Sequence, residues 1–168
     1  MTHDGRRTAG DPARTEYAGA VYGSLLAASV IVGSSPRKDP TPAFALVVLL
    51  IATGLVFWFA HVYARLAGER AVGIPVRRAD VRAVGAAEWP LAQAAVPPAA
   101  VACAGWLLGL PDVTTAWLAL VTALGGQVGW AVAALVQAGA RPRTYLTAGL
   151  VNLLLGMVIV SLKFLLAH

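Results

Sequence analysis

Residues 42–65 read PAFALVVLLIATGLVFWFAHVYAR, a run that meets no charge before Arg65 and is interrupted only by Thr53 and His61. As an α-helix rising about 1.5 Å per residue, this run covers the roughly 30 Å hydrocarbon core of a bilayer. Its far end gathers Phe57, Trp58, Phe59 and Tyr63, the ring types favoured where lipid meets headgroup, and then Arg65. The rest of the chain is therefore read as a set of neighbours in lipid.

Composition agrees. Of 168 residues, 58% are hydrophobic and 12% charged, and the mean hydropathy is +0.71, too few polar side chains to cover a soluble globule. The net charge of +5 comes from eleven Arg and two Lys that lie mainly in the N-terminal tail and between apolar runs. There they act as topology signals and contacts with anionic headgroups, and no nucleic-acid partner is expected. The single cysteine, Cys103, sits inside an apolar run and excludes an intrachain disulfide or a thiolate cage. No metal or cofactor is expected. The excess of Arg over Lys, with abundant Ala, Gly, Val and Pro, is what a GC-rich genome produces and points to a bacterial inner membrane.

Residues 1–15 (MTHDGRRTAGDPART) lack an apolar period and read as a disordered tail, followed by one five-helix transmembrane domain over 16–168. Arg6-Arg7 suggests a twin-arginine signal, but no small-x-small cleavage site follows, so the first helix is retained. The expected spans are 16–35, 42–65, 88–110, 113–138 and 145–166. In the first, Gly19 and Gly23 form GxxxG and, with Ala27, a small-residue stripe that admits another helix closely. In the second, Gly54, Phe57, Trp58 and His61 share a face. The connector 65–87 contains Arg77, Arg78 and Arg82 within PVRRADVRAVG. It forms either a basic helix lying on headgroups or a solvated basic loop.

The third span, EWPLAQAAVPPAAVACAGWLLGL, carries Pro90 in its first turn and Pro97-Pro98 in mid-span, where a missing N–H predicts a kink. Rich in Ala and poor in Leu and Ile, it should be surrounded by the other spans. Gln93 and Gln127 fall at mid-membrane depth. In the fifth span Tyr145, Gly149, Asn152, Gly156 and Lys163 lie on one face, which predicts a small and polar stripe directed into the bundle, with Asn152 bonded across helices.

With five spans, ten of the thirteen Lys and Arg lie on the side of the tail and three on the other, so the N-terminus is expected in the cytoplasm and the C-terminus outside. This places Glu16, His61 and Glu88 near cytoplasmic helix ends, where with Asn152 they form a candidate proton, ion or ligand cluster. Favourable positions in the helix macrodipole explain the same carboxylates and histidine without any site.

Shifting residues 16–64 by 72 positions aligns Glu16 with Glu88, Gly33 with Gly105, Gly54 with Gly126 and Trp58 with Trp130. Such matches are cheap in an Ala-rich chain. A true repeat would make two hairpins of equal orientation, related by an axis along the membrane normal, with the last helix added. Three function classes follow. Passage of protons, ions or a small solute by an oligomer is the first reading. The alternative is a non-catalytic membrane adaptor or assembly protein that packs against partner helices. An enzyme or haem protein is disfavoured, because His3 and His168 are terminal and no spaced carboxylate-histidine set exists.

Overall fold

The computed structural model describes residues 12–34, 40–71, 75, 77–137, 139 and 142–166, of which 12–16, 142, 144–146, 163, 164 and 166 are described by backbone alone. The elements are α1 (Pro12–Ser34), α2 (Ala43–Ala71), α3 (Arg78–Gln93), α4 (Val96–Leu107), α5 (Asp112–Gln137) and α6 (Pro142–Leu166), with no strand among the described residues. Among the described residues three stretches are long and apolar enough to cross a membrane, Tyr17–Ser34, Ala43–Ala71 and Asp112–Gln137, so the fold is compatible with a membrane helical bundle. Large apolar side chains such as Phe44, Val56, Phe59, Leu107 and Met157 stand exposed. A bilayer solvates such a surface, whereas water does not.

α1 starts at Pro12, so the last residues of the expected tail, 12–15, are helical and residues 1–11 lie outside the described part. Proline suits this position because the first turn of a helix has no acceptor for its N–H. The basic stretch after α2 also differs from a loop. It is the first half of α3, which runs unbroken from Arg78 through Glu88 to Gln93, and Asp80 Oδ2 caps its start by accepting the Arg77 N–H at 2.7 Å. Pro90 consequently lies inside α3 rather than in a first turn. The carbonyl it leaves unbonded belongs to Ala86, which is exposed.

In place of one helix over 88–110, the chain breaks at Ala94–Ala95. There Ala94 N–H reaches Pro90 O and Ala95 N–H tightens to Ala92 O. The break puts Pro97 and Pro98 in the first turn of α4, where their missing N–H groups cost no bond. α4 ends in a Schellman motif: Gly109, at φ 67°, donates to Trp106 O and Leu110 donates to Gly105 O. The turn that follows brings Asp112 back to α2, whose Ala43 N–H it accepts at 2.9 Å.

The centre is made of small residues. α1 packs on α5, α3 and α2, while α4 packs on α5 and α2. Ala27, Ala28, Ile31, Leu46, Leu50, Ala99, Ala102, Ala119 and Leu120 close the core between them. A Cβ at Gly23 would overlap the Leu91 carbonyl oxygen at the α3–α4 break, so α1 lies on that break as closely as a helix can. The expectation that the third span is surrounded therefore changes. α4 buries Pro98, Ala99, Ala102 and Gly105 but exposes Val96, Pro97, Ala100 and Ala104, and the glycine-bearing α1 is the more central helix.

Several contacts follow the 72-residue shift. Trp58 meets Trp89 edge-on with ring centroids 5.4 Å apart, and the pair at the shifted positions, Trp130 and Tyr17, has its centroids 6.1 Å apart. Gly54 lies against Ala95, and Gly126 lies against Ser24, beside the position that matches Ala95. Gly19 contacts Leu91, its own counterpart in the shift. A two-fold axis relating the hairpins would have to pass through such a contact.

Candidate functional site

Two polar contacts stand out in the apolar bundle. On the α2–α3 seam, Arg65 Nη1 donates to Glu88 Oε1 at 2.7 Å, with Glu88 buried and Arg65 exposed. One face of α2 carries the rest of this seam: Trp58 Nε1 donates to Gly85 O at 2.9 Å, and Gly54 admits Ala92 and Ala95. His61 belongs to the same face but to a different neighbourhood. Its Nδ1 lies 2.9 Å from Phe57 O, one turn back, and its ring sits 5.7 Å from that of Tyr22 on α1.

The second contact joins α5 to α6. Gln127 Nε2 donates to Asn152 Oδ1 at 3.1 Å, and Asn152 Nδ2 donates to Ala148 O at 2.9 Å. Gln127 is 1% exposed and its Oε1 has no hydrogen-bond partner. Gly156 lets Leu124 close in one turn further along α6. Asn152 is thus bonded across helices.

The three residues of the expected cluster whose side chains are described have separate partners. Glu88 is held by Arg65, Asn152 by Gln127, and His61 by Phe57 and Tyr22, while the side chain of Glu16 lies outside the described part. Among the described residues no three His, Cys, Asp or Glu side chains converge on a metal-sized site. Gln93 is exposed and makes no side-chain hydrogen bond among the described residues, and Arg77, Arg78 and Arg82 form an exposed basic turn at the start of α3. Of the packing glycines, Gly19, Gly23, Gly54 and Gly156 each meet a neighbouring helix, and Gly149 meets nothing within 4 Å. Tyr145 and Lys163 are described by backbone alone.

Two open grooves flank α6. An open groove of about 580 Å³ runs between α1, α5 and α6, with Tyr17, Tyr22, Leu25, Leu135 and Asn152 on its walls. A second, of about 310 Å³, flanks α6 on its other side between Leu124, Val128 and Met157. At the α3–α4 break, by contrast, the enclosed space is about 10 Å³, bounded by Gly23, Leu50, Gly54, Leu91 and Ala95.

Reasoning from the sequence missed two anchors, Asp112 on the start of α2 and Tyr22 beside His61. The first had a signal, an acidic residue right after the Leu110-Pro111 turn. The second had none, because it depends on how α1 rotates against α2.

The cytochrome c oxidase subunit IIa family matches residues 37–65, a stretch that includes most of α2 and leaves the other helices unmatched. No curated protein and no solved structure matches the chain.

Proposed function

We propose that the chain is a non-catalytic helical subunit of a membrane protein complex, packing against partner helices rather than conducting a solute. The observation that carries this reading is the filled break between α3 and α4. At the break itself, where Pro97 and Pro98 interrupt the backbone, the space has room for at most about one water, which disfavours a path at that point. The polar pairs Arg65–Glu88 and Gln127–Asn152 have separate partners and are not bonded to each other among the described residues. The match of residues 37–65 to a family of oxidase subunits favours a partner membrane protein in the same sense.

The topology that goes with this role has five crossings. α1, α2, α5 and α6 each make one, and the second half of α3 together with α4 makes the third, Glu88 to Leu107 spanning about 30 Å. The N-terminus lies in the cytoplasm of a bacterium and the C-terminus outside. Arg77, Arg78 and Arg82 rest on anionic headgroups, each contributing about 1 kcal/mol.

Two measurements test the role together. Membranes extracted in a mild detergent should carry the chain in an assembly much heavier than itself on a native gel. The purified chain in liposomes with a trapped pH dye should leave proton and potassium gradients intact. Gradient collapse that depends on the protein would return the transport reading.

A further inference from the structure

The 72-residue relation shows an asymmetry in how the two halves are covered. α6 lies outside both halves and packs in the groove between α1 and α5, where Gln127 is 1% and Ala131 9% exposed. The matching positions on α2 are Leu55, 37% exposed, and Phe59, 63%. The opposite wall repeats the contrast: Val21 and Leu25 of α1 are partly buried, whereas their counterparts Gln93 and Pro97 are exposed. One groove thus holds a helix and its counterpart is bare.

We propose that the bare groove between α2 and the α3–α4 junction seats a single membrane-spanning helix of a different protein chain, with an amide or hydroxyl at the level of Gln93. The docking of α6 is the template. It enters the first groove with Gly156 against Leu124 and an amide, Asn152, bonded to Gln127. In the second groove Ala52 stands where the first has Leu124, which leaves more room for the incoming helix. The polar residue has moved to the other wall, as Gln93.

Gln93 points to a polar partner rather than to lipid. It lies about 7 Å beyond Glu88 along α3 and is exposed with no side-chain hydrogen bond among the described residues. Hydrocarbon tails offer such an amide nothing, and an unpaired amide in the bilayer is costly. A second copy of this chain fits the template less well, since the occupant of the first groove is a helix from outside both halves and not a second groove.

This seat rests on the subunit reading, and the test separates the two. Benzoylphenylalanine is placed at Phe59, in the bare groove, and at Val158, on the outer face of α6, in full-length protein within the membranes of cells that make it. Illumination should give one discrete adduct at position 59 with the added mass of another chain, and none at 158. Gln93→Leu should weaken that adduct about fivefold with the folded amount unchanged, and Gln93→Asn should largely preserve it. An adduct of twice the chain's own mass, equal protein adducts at both positions, lipid adducts alone, or indifference to Gln93→Leu would each overturn the seat. If any of these appears while the unmodified chain still migrates in a heavy assembly, the subunit reading stands without this seat. If the heavy assembly itself is missing, the subunit reading fails.

Discussion

Arg65 of α2 and Glu88 of α3 meet at 2.7 Å with the carboxylate side chain 10% exposed and the guanidinium side chain 47% exposed. The pair is asymmetric in consequence: removing Arg65 strands a buried charge, while neutralising Glu88 leaves Arg65 free to turn to solvent or headgroups. Arg65→Ala should cost about 1–2 kcal/mol, between the values for exposed and buried pairs, and Glu88→Gln should cost less. Thermal unfolding in detergent followed by circular dichroism reads the order. Equal losses for the two variants would mean that burial of the carboxylate is not what matters.

The closest helix approach lies at Gly23, where a Cβ would overlap Leu91 O and press on Ala94. Both neighbours belong to the α3–α4 break and cannot swing aside like a flexible side chain. Gly23→Ala should therefore force α1 off the break and cost about 1–3 kcal/mol, as overpacking does. Gly33→Ala is the internal control, since nothing lies within 4 Å of it, and it should be neutral or slightly stabilising. If both variants unfold at the parent temperature, α1 does not hold the break.

Much of this architecture was legible in the residues. The uncharged run before Arg65 marked α2 as a lipid-crossing helix, and Gly23 and Gly54 marked close helix approach. The break at Ala94–Ala95 was displaced from the expected kink because Pro97 and Pro98 cost nothing in a first turn, and backbone bonding favours starting a new helix there. The polar partners were much less legible. Which carboxylate Arg65 takes, or whether His61 faces Tyr22 or Glu88, depends on helix rotation, and a rotation of one residue position (about 100°) redirects every side chain.

The amide pair of α5 and α6 gives a quantitative test. Gln127→Leu alone leaves Asn152 without its partner across the seam, and Asn152→Leu alone leaves Gln127 Nε2 with only a long 3.5 Å contact to the residue-152 backbone carbonyl, while its Oε1 already has no partner. Each single variant should lose about 1 kcal/mol, within the range for polar contacts in bilayers. The double variant should lose less than the sum, because no orphan amide remains. A strictly additive cycle would show that the 3.1 Å contact holds no coupling.

His61 should behave as a packing residue. Its ring faces Tyr22 and its Nδ1 the Phe57 carbonyl, and a tyrosine keeps both the aromatic contact and an interfacial polar tip. His61→Tyr is expected to change stability by less than about 0.5 kcal/mol and to leave migration in the assembly unaltered. Loss of assembly, or of any gradient-linked activity, in a folded variant would restore a titrating role to this histidine.

Topology is the broadest prediction and follows from charge. α2 ends at Ala71, shortly before the basic start of α3 that carries Arg77, Arg78 and Arg82, while α6 has a single lysine, Lys163, near its end. Arginines near span ends resist translocation, so the end of α2 is expected in the cytoplasm, and three further crossings should carry the C-terminus across. A phosphatase reporter, active only outside, should be silent when fused after Gly68 and active when fused after His168. A fluorescent protein that matures only in the cytoplasm should give the opposite pattern. Both fusions reporting from one side would mean that α3 with α4, or α6, fails to cross, which leaves an even number of spans and places the C-terminus with the tail.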